Sequence, residues 1–544
     1  MTLETNRYYS VDALAGAGKT HAALEYAVKL ARGMGQKFLI AQPSTALIEE
    51  SYRKCQEFAK ASGGKVKITR FHSELGGPFV VGSIVNHFKE ADDGGEIVLI
   101  THSALFRVPY LHRSDKWTLL VDEIPQVDRY WGLKISQTHE ILTDALMVRN
   151  CGAVYYQLLA SDQTKLKAFA SNQHDDQIYN IFQEAARCIL SKDWKVYVRK
   201  ENWDRYRNGI AGKIPSDLDL FAMMQPSMFA GFHSVIVMGA MFDQSLMALD
   251  WMSKGVEFRR FDAIQDHVRY QWHENGDLIT FLYVLDTDWS KRIRGQEVDG
   301  KSVMDYAVNA VKAEFGDREF LWIANRDIAD LVFPNGIRLP NTPHGLNQYQ
   351  HIDNVVFLSA LNRTPIHYSF LGEQGLDPDW VKMATGCQMA SQAMMRSSVR
   401  DPANSSRKAI VVPDARTAEF LADVFPGCSV GPLGGGIAIK KTAPGRKPIK
   451  TEGMSAQARQ VRSRIKDKRE RINALLAEAF EQEKSVTKPL YNSNFVTEIA
   501  DTNPKAKKGC KTYTFYVFDS IYSAKATAGL SLSNDELIAQ LGVL

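Results

Sequence analysis

The chain has 544 residues, 45% of them hydrophobic and 24% charged, with a formal net charge of +4. That composition excludes a disordered or collagen-like chain, and the length asks for about three or four folding units. A charge this close to neutral neither demands nor excludes a nucleic-acid partner, so the placement of the charge decides. Six cysteines stand singly, without C-x-x-C pairs. This argues against structural zinc, an iron–sulfur cluster or a disulfide framework and makes a reducing cytoplasm the expected setting. The N-terminal Met-Thr-Leu-Glu-Thr-Asn lacks the basic and apolar blocks of a signal peptide, and no apolar run approaches the roughly 20 residues of a spanning helix. A soluble protein without a membrane partner is expected.

In chain order, the first chemical signal is Arg7 to Thr20, read as a short strand, a small-residue turn and a helix start. Gly16 and Gly18 let the backbone wrap closely, so that the N–H groups around Ala17 and the positive end of the helix dipole face an anion. Lys19 then reaches the β- and γ-phosphates of a nucleotide, and the Thr20 hydroxyl ligates Mg²⁺. The pattern is G-x-x-x-x-G-K-[ST] with Ala13 in place of the usual first glycine. Lys37 to Pro43 reads as a buried strand and Ser44 to Glu50 as a helix start with a hydroxyl cap. Glu96 to Thr101 is a further strand, and Trp117 to Val121 leads into Asp122-Glu123-Ile124-Pro125. Short apolar strands alternating with helices indicate a parallel sheet with its ligands at the carboxyl ends of the strands. There, Asp122 suits the Mg²⁺ shell and Glu123 suits polarising an attacking water.

Several segments together resemble the superfamily 2, DEAD-like helicases. Ala13 to Thr20, Gln42 to Glu50, Ile100 to Leu105 and Val121 to Pro125 are similar to motifs I, Ia, Ic and II. Val235 to Met241 stands where the family has motif III, with Gly239-Ala240-Met241 in place of Ser-Ala-Thr. Phe320 to Asn325 resembles the strand of motif IV, His344 to Ala360 motif V, and Gln392 to Arg400 the arginine-bearing motif VI. The resemblance implies two RecA-like domains with ATP and Mg²⁺ in the cleft between them. The first supplies Lys19, Thr20, Asp122 and Glu123, and the second supplies Gln392 with Arg396 or Arg400 as the arginine finger. The family spaces its two arginines three apart, whereas here the gap is four, so the choice of finger stays open. The implied strand contacts are Pro43, Ser44, Thr45, Thr101, His102, Gly345 and Asn347, which would grip phosphates rather than bases.

The fold class expected is α/β, with two RecA-like parallel-sheet domains, a mainly helical insertion in the first and a helical or α+β C-terminal extension. Domain 1 takes residues 1–125 and 231–270, the insertion 126–230, domain 2 residues 271–430, a basic linker 431–454 and the extension 455–544. Gln388, Gln392, Arg396 and Arg400 recur every four residues and share one stripe if that segment is helical. In the insertion, Trp194, Tyr197, Arg199, Lys200, Trp203, Arg205, Tyr206 and Arg207 interleave aromatic and basic groups. This suits either base stacking or a core with basic side chains reaching outward. Residues 440–471 hold 12 Lys/Arg against 3 Asp/Glu, a concentration that suits a nucleic-acid backbone.

The function expected is an ATP-dependent helicase or translocase on single-stranded or forked DNA, with RNA the second track. Replication or repair proteins are the partners expected for the C-terminal extension. Two rivals are a DNA-packaging-type motor ATPase and a nucleic-acid-binding scaffold with a vestigial nucleotide site.

Overall fold

The computed structural model describes residues 7–134, 139–208, 217–270, 273, 275–329, 332–340 and 348–436. Gly345 and Asn347, the basic segment 440–471 and the C-terminal extension lie outside the described residues. No helix among the described residues is long and apolar enough to cross a membrane.

In the first sheet, β1 (Arg7–Asp12), β2 (Lys37–Gln42), β3 (Lys67–Phe71), β4 (Glu96–Thr101) and β5 (Trp117–Asp122) come before the insertion. Within the insertion lie β6 (Asp128–Leu133), β7 (Leu146–Asn150), β8 (Tyr155–Ala160), β9 (Trp194–Arg199) and β10 (Leu218–Met224). The chain then returns to the first sheet with β11 (Ser234–Gly239) and β12 (Phe258–Arg260). The order β12-β1-β11-β5-β2-β4-β3 is parallel throughout. Every side chain of β2 and β5 is buried, because helices cover both faces of the sheet. Phe38, Ile40 and Leu120 pack into one apolar layer, while Leu39, Leu119 and Val121 pack into the other, as the two-residue period of a strand requires.

A second parallel sheet follows. Its strands are β13 (Ile279–Leu285), β16 (Phe320–Ile323), β17 (Gly336–Arg338), β18 (Asn354–Phe357), β19 (Lys408–Asp414) and β20 (Ser429–Pro432), in the order β17-β16-β18-β19-β13-β20. A two-stranded antiparallel hairpin, β14 (Glu297–Val298) and β15 (Lys301–Ser302), precedes its first long helix. Leu321, Ile323, Val355 and Phe357 face one apolar layer, and Phe320, Trp322 and Val356 the other. Both sheets are RecA-like α/β layers.

The inserted stretch carries more strand than helical periodicity suggests. Its strands β6 to β10 form an antiparallel sheet of order β6-β10-β9-β8-β7, with helices Gln163–Ser171 and Gln177–Leu190 beside it. Leu146 and residues Tyr156 to Leu159, inside the insertion expected to be mainly helical, lie in β7 and β8. Short apolar runs do not distinguish the two periods, and ladder pairing with β9 decided for strand. Trp194, Tyr197, Trp203 and Tyr206 are all buried. They are therefore core rather than a base-stacking platform, because a ring packed against neighbours has no face left to offer.

A buried ion pair fastens the insertion to the second sheet's domain. Asp128, fully buried at the start of β6, accepts from Arg363 Nε and Nη2 at 2.8 Å each, and His367 Nε2 lies 3.0 Å away. Burial alone would raise the Asp128 carboxyl, but the His367 and Arg363 contacts outweigh it and hold the group far below the usual carboxylate range. Asp128→Ala leaves the Arg363 guanidinium without its buried counter-charge, so urea unfolding should show a loss of about 3–5 kcal/mol. A loss below about 1 kcal/mol would show that water reaches the pair.

Candidate nucleotide site between the two sheets

Parallel pairing brings the chemistry together at one end of the first sheet. Strand β11 separates β1 from β5, so the turn after β1 and the acids ending β5 stand two strands apart, and Ala13 N–H donates to Gly239 O at 3.3 Å. Gly16 and Gly18 have φ of +83° and +86°, values that suit glycine. Gly18 caps the helix α1 (Lys19–Met34), whose first N–H groups open onto the turn. At Gly16 a Cβ would sit 2.6 Å from Arg400 Cγ and 2.8 Å from the Tyr270 hydroxyl, so the loop is held close from the second sheet's side as well.

Lys19 donates to the carbonyls of Ala13 and Leu14, the latter at 3.0 Å. Thr20 Oγ1 lies 2.9 and 3.1 Å from the two Asp122 carboxylate oxygens. Gln42 Nε2 bridges the same carboxylate and Ser51 Oγ, at 2.9 Å each. Burial raises the Asp122 carboxyl to about 6, with Glu123 adding to the rise and hydrogen bonds from Gln42 and Thr20 opposing it. Glu123 has φ of +69°, a left-handed backbone uncommon for a non-glycine residue and a place where strain collects at functional sites.

Burial likewise lowers the Lys19 ammonium from 10.5 to about 8, against the pull of Asp122 and Glu123. Below pH 8 the charged amine costs the folded state stability. Between about 8 and 10.5 the unfolded chain holds more protons, so stability rises with pH through that window. Affinity for an anion runs the other way, because the bound anion needs the ammonium form. A nucleotide titration should therefore weaken as pH rises through about 8, by up to about tenfold per unit; a flat profile from pH 7 to 9.5 would contradict this.

The second sheet's domain contributes the other wall. Gln388, Gln392, Arg396 and Arg400 do not share one continuous helix: the helix Gln388–Met394 ends before Arg396, and Arg400 closes the short 3₁₀ turn Ser398–Arg400. All four nevertheless line the same cavity as Gly16, Gly18, Lys19, Thr20, Asp122 and Glu123, a space of about 200 Å³. Gln388 also reaches across to the first sheet's domain, where its Nε2 donates to Met241 O at 3.3 Å. Burial lowers the Arg396 and Arg400 guanidinium pKa values, and Glu123 opposes this at Arg396.

Arg396 Nε and Gln392 Oε1, both buried here, have no hydrogen-bond partner among the described residues. Such orphans are costly unless a ligand satisfies them. A nucleotide phosphate offers acceptors to the guanidinium, so the donor set fits a nucleoside triphosphate. The paired Thr20 and Asp122 oxygens fit Mg²⁺, which takes hard oxygen ligands.

The expected strand contacts fall on the same end of the first sheet. Ser44 caps the helix α2 (Thr45–Ala61), accepting from Leu47 N–H at 3.3 Å, and Thr101 accepts from Ala104 N–H at 3.0 Å. These hydroxyls serve as helix caps and keep their own O–H to donate. Thr45 Oγ1 donates to Glu74 at 3.1 Å. Pro43 and His102 line a second cavity, of about 330 Å³, which shares Glu123, Gln388 and Gln392 with the first. Gln42 falls within the segment similar to motif Ia but carries no expected role at the site, and the sequence motifs missed Arg269 and Tyr270. A polar residue ending the fully buried strand β2 was the available signal for Gln42.

No protein-family model matches the chain, and no curated protein sequence does either. Among solved structures, it is similar to S. cerevisiae Dbp5 bound to RNA and ADP BeF3, at 9% identity over 79% of this chain and 86% of that one, with a TM-score of 0.34. It is also similar to Mycobacterium smegmatis helicase Lhr bound to ssDNA and AMP-PNP, at 12% identity over 76% of this chain and 44% of that one, with a TM-score of 0.32. A hypothetical ATP-dependent RNA helicase from Sulfolobus tokodaii is matched at 12% identity over 77% of this chain and 91% of that one, with a TM-score of 0.23.

Proposed function

We propose that the chain is an ATP-driven helicase or translocase of the superfamily 2 type, acting on nucleic acid and preferentially on DNA. The observation that carries this reading is the single cavity walled by Lys19, Asp122 and Glu123 from one sheet's domain and by Arg396 and Arg400 from the other's. The loop N–H groups and Lys19 hold the phosphates. Mg²⁺, held by Thr20 and Asp122, neutralises charge on the phosphate oxygens when bound. Glu123 takes the proton of the water that attacks the terminal phosphorus. The bond to the bridging oxygen breaks, and ADP and phosphate leave. A guanidinium from the second domain stabilises the charge that develops.

Because the cavity's walls belong to two domains, occupancy biases their closure. The neighbouring cavity at Pro43 and His102 shares residues with it, which gives closure a route to the strand-binding end. DNA is preferred to RNA because motif II reads Asp-Glu-Ile-Pro and because Gln stands where the DEAD-box proper opens motif VI with His. The deciding experiment is ATP turnover measured alone and with single-stranded DNA, single-stranded RNA and duplexes. Stimulation by single-stranded DNA supports the reading, whereas stimulation by RNA alone replaces the track. No stimulation by any of them removes the translocase assignment.

A further inference from the structure

The connector between the two sheets brings to the cavity a side chain that no motif contains. Arg269 N–H donates to Ala17 O at 2.8 Å, which fixes the connector on the glycine loop. Its side chain packs on Gly18, where a Cβ would lie 3.4 Å from Arg269 Cγ and 3.5 Å from its Nε. Gly18 caps the 16-residue α1, so this guanidinium stem runs along the positive end of a helix dipole. Arg269 lines the cavity together with Lys19, Arg396 and Arg400. Gathering like charge at a helix N-terminus is unfavourable by itself and becomes favourable once a polyanion enters. Arg269 is exposed, and no carboxylate pairs with it among the described residues. A second sign of an anion site is independent of it: Arg396, only 8% exposed and lining the same cavity, has no hydrogen-bond partner for its Nε among the described residues.

We infer that Arg269 is a phosphate-contacting residue for nucleoside di- and triphosphates, supplied by the connector rather than by either sheet. This rests on the nucleotide-binding reading of the cavity. Tyr270 beside it is a positioning residue. Its hydroxyl lies 3.2 Å from Ala15 O and 3.3 Å from Arg400 O, tying the loop to the arginine segment. Because Arg269 touches the loop at Gly18, where the helix starts, it addresses phosphates that a diphosphate retains. The connector therefore holds the nucleotide both before and after hydrolysis.

The test is calorimetric titration of the full chain with ADP and with AMP-PNP in Mg²⁺ buffer, alongside the unfolding midpoint without nucleotide. Arg269→Ala is expected to weaken both nucleotides alike, by about tenfold or more, the loss of one charge-assisted contact. Its midpoint should stay that of the wild type, and Arg269→Lys should bind with intermediate affinity. An Arg269→Ala chain that binds both as tightly as the wild type, or that loses affinity only together with its midpoint, overturns the assignment. A wild-type chain that binds neither nucleotide overturns the underlying reading of the cavity instead.

Discussion

Arg396→Ala is expected to lower kcat for ATP hydrolysis by about 10³–10⁵-fold while leaving ADP affinity near its wild-type value, since the effect of an arginine finger appears as charge develops on the transferred group. Arg396 is the better placed of the two candidates. It is buried to 8% exposure, its Nε has no hydrogen-bond partner among the described residues, and Glu123, the residue suited to the attacking water, is a Coulombic neighbour. Arg400 instead packs against Gly16 and acts on Lys19, the side where the proposed function puts the held phosphates rather than the breaking bond. Arg400→Ala should therefore show mainly in KM for ATP. Steady-state kinetics on the two variants separates the roles, with Arg396→Lys as a folding control. A kcat loss in Arg400→Ala larger than in Arg396→Ala would reverse the assignment.

Lys19→Ala should reduce ATP turnover by at least about 10²–10³-fold, the scale on which removal of one preorganised donor is felt. Here the expected effect falls on binding as well. The ammonium is held under the loop by the Ala13 and Leu14 carbonyls at a cost that shows in its lowered pKa. That cost is recovered only when phosphate replaces the carbonyls as its partner. Both KM and kcat should suffer, in contrast to Arg396→Ala. The folded state should lose little, because the charge it gives up was a burden below pH 8. A variant with unchanged turnover would favour the scaffold with a vestigial site.

Much of this was legible in the chain itself, for identifiable reasons. Glycines at Gly16 and Gly18 and the apolar strands before Asp122 are local signals, and local signals survive into the fold because a buried parallel strand leaves little choice of residue. The alternation of β and α elements likewise carried the two sheets. Motif VI was harder. The period-four stripe from Gln388 to Arg400 does lie along one cavity, but through a different local structure from the helix expected, since the helix stops at Met394 and a turn delivers the arginines. The strands β7 and β8 were missed because segments of only five and six residues, with a few apolar side chains each, fit either period until a partner strand is known. Arg269 and Tyr270 were invisible for a different reason. Their role comes from where the connector crosses the glycine loop, a contact about 250 residues away in sequence that no local pattern encodes.

In the proposed function, one chain supplies both walls of its own nucleotide site. Mixing inactive Lys19→Ala and Arg396→Ala chains and measuring ATP turnover tests it most directly. If the ammonium and the guanidinium act on the same nucleotide within one chain, the mixture stays as inactive as its components at every ratio. If turnover returns on mixing, the guanidinium comes from a neighbouring copy, as a ring-forming packaging motor would require, and the two-sheet clamp described here is contradicted.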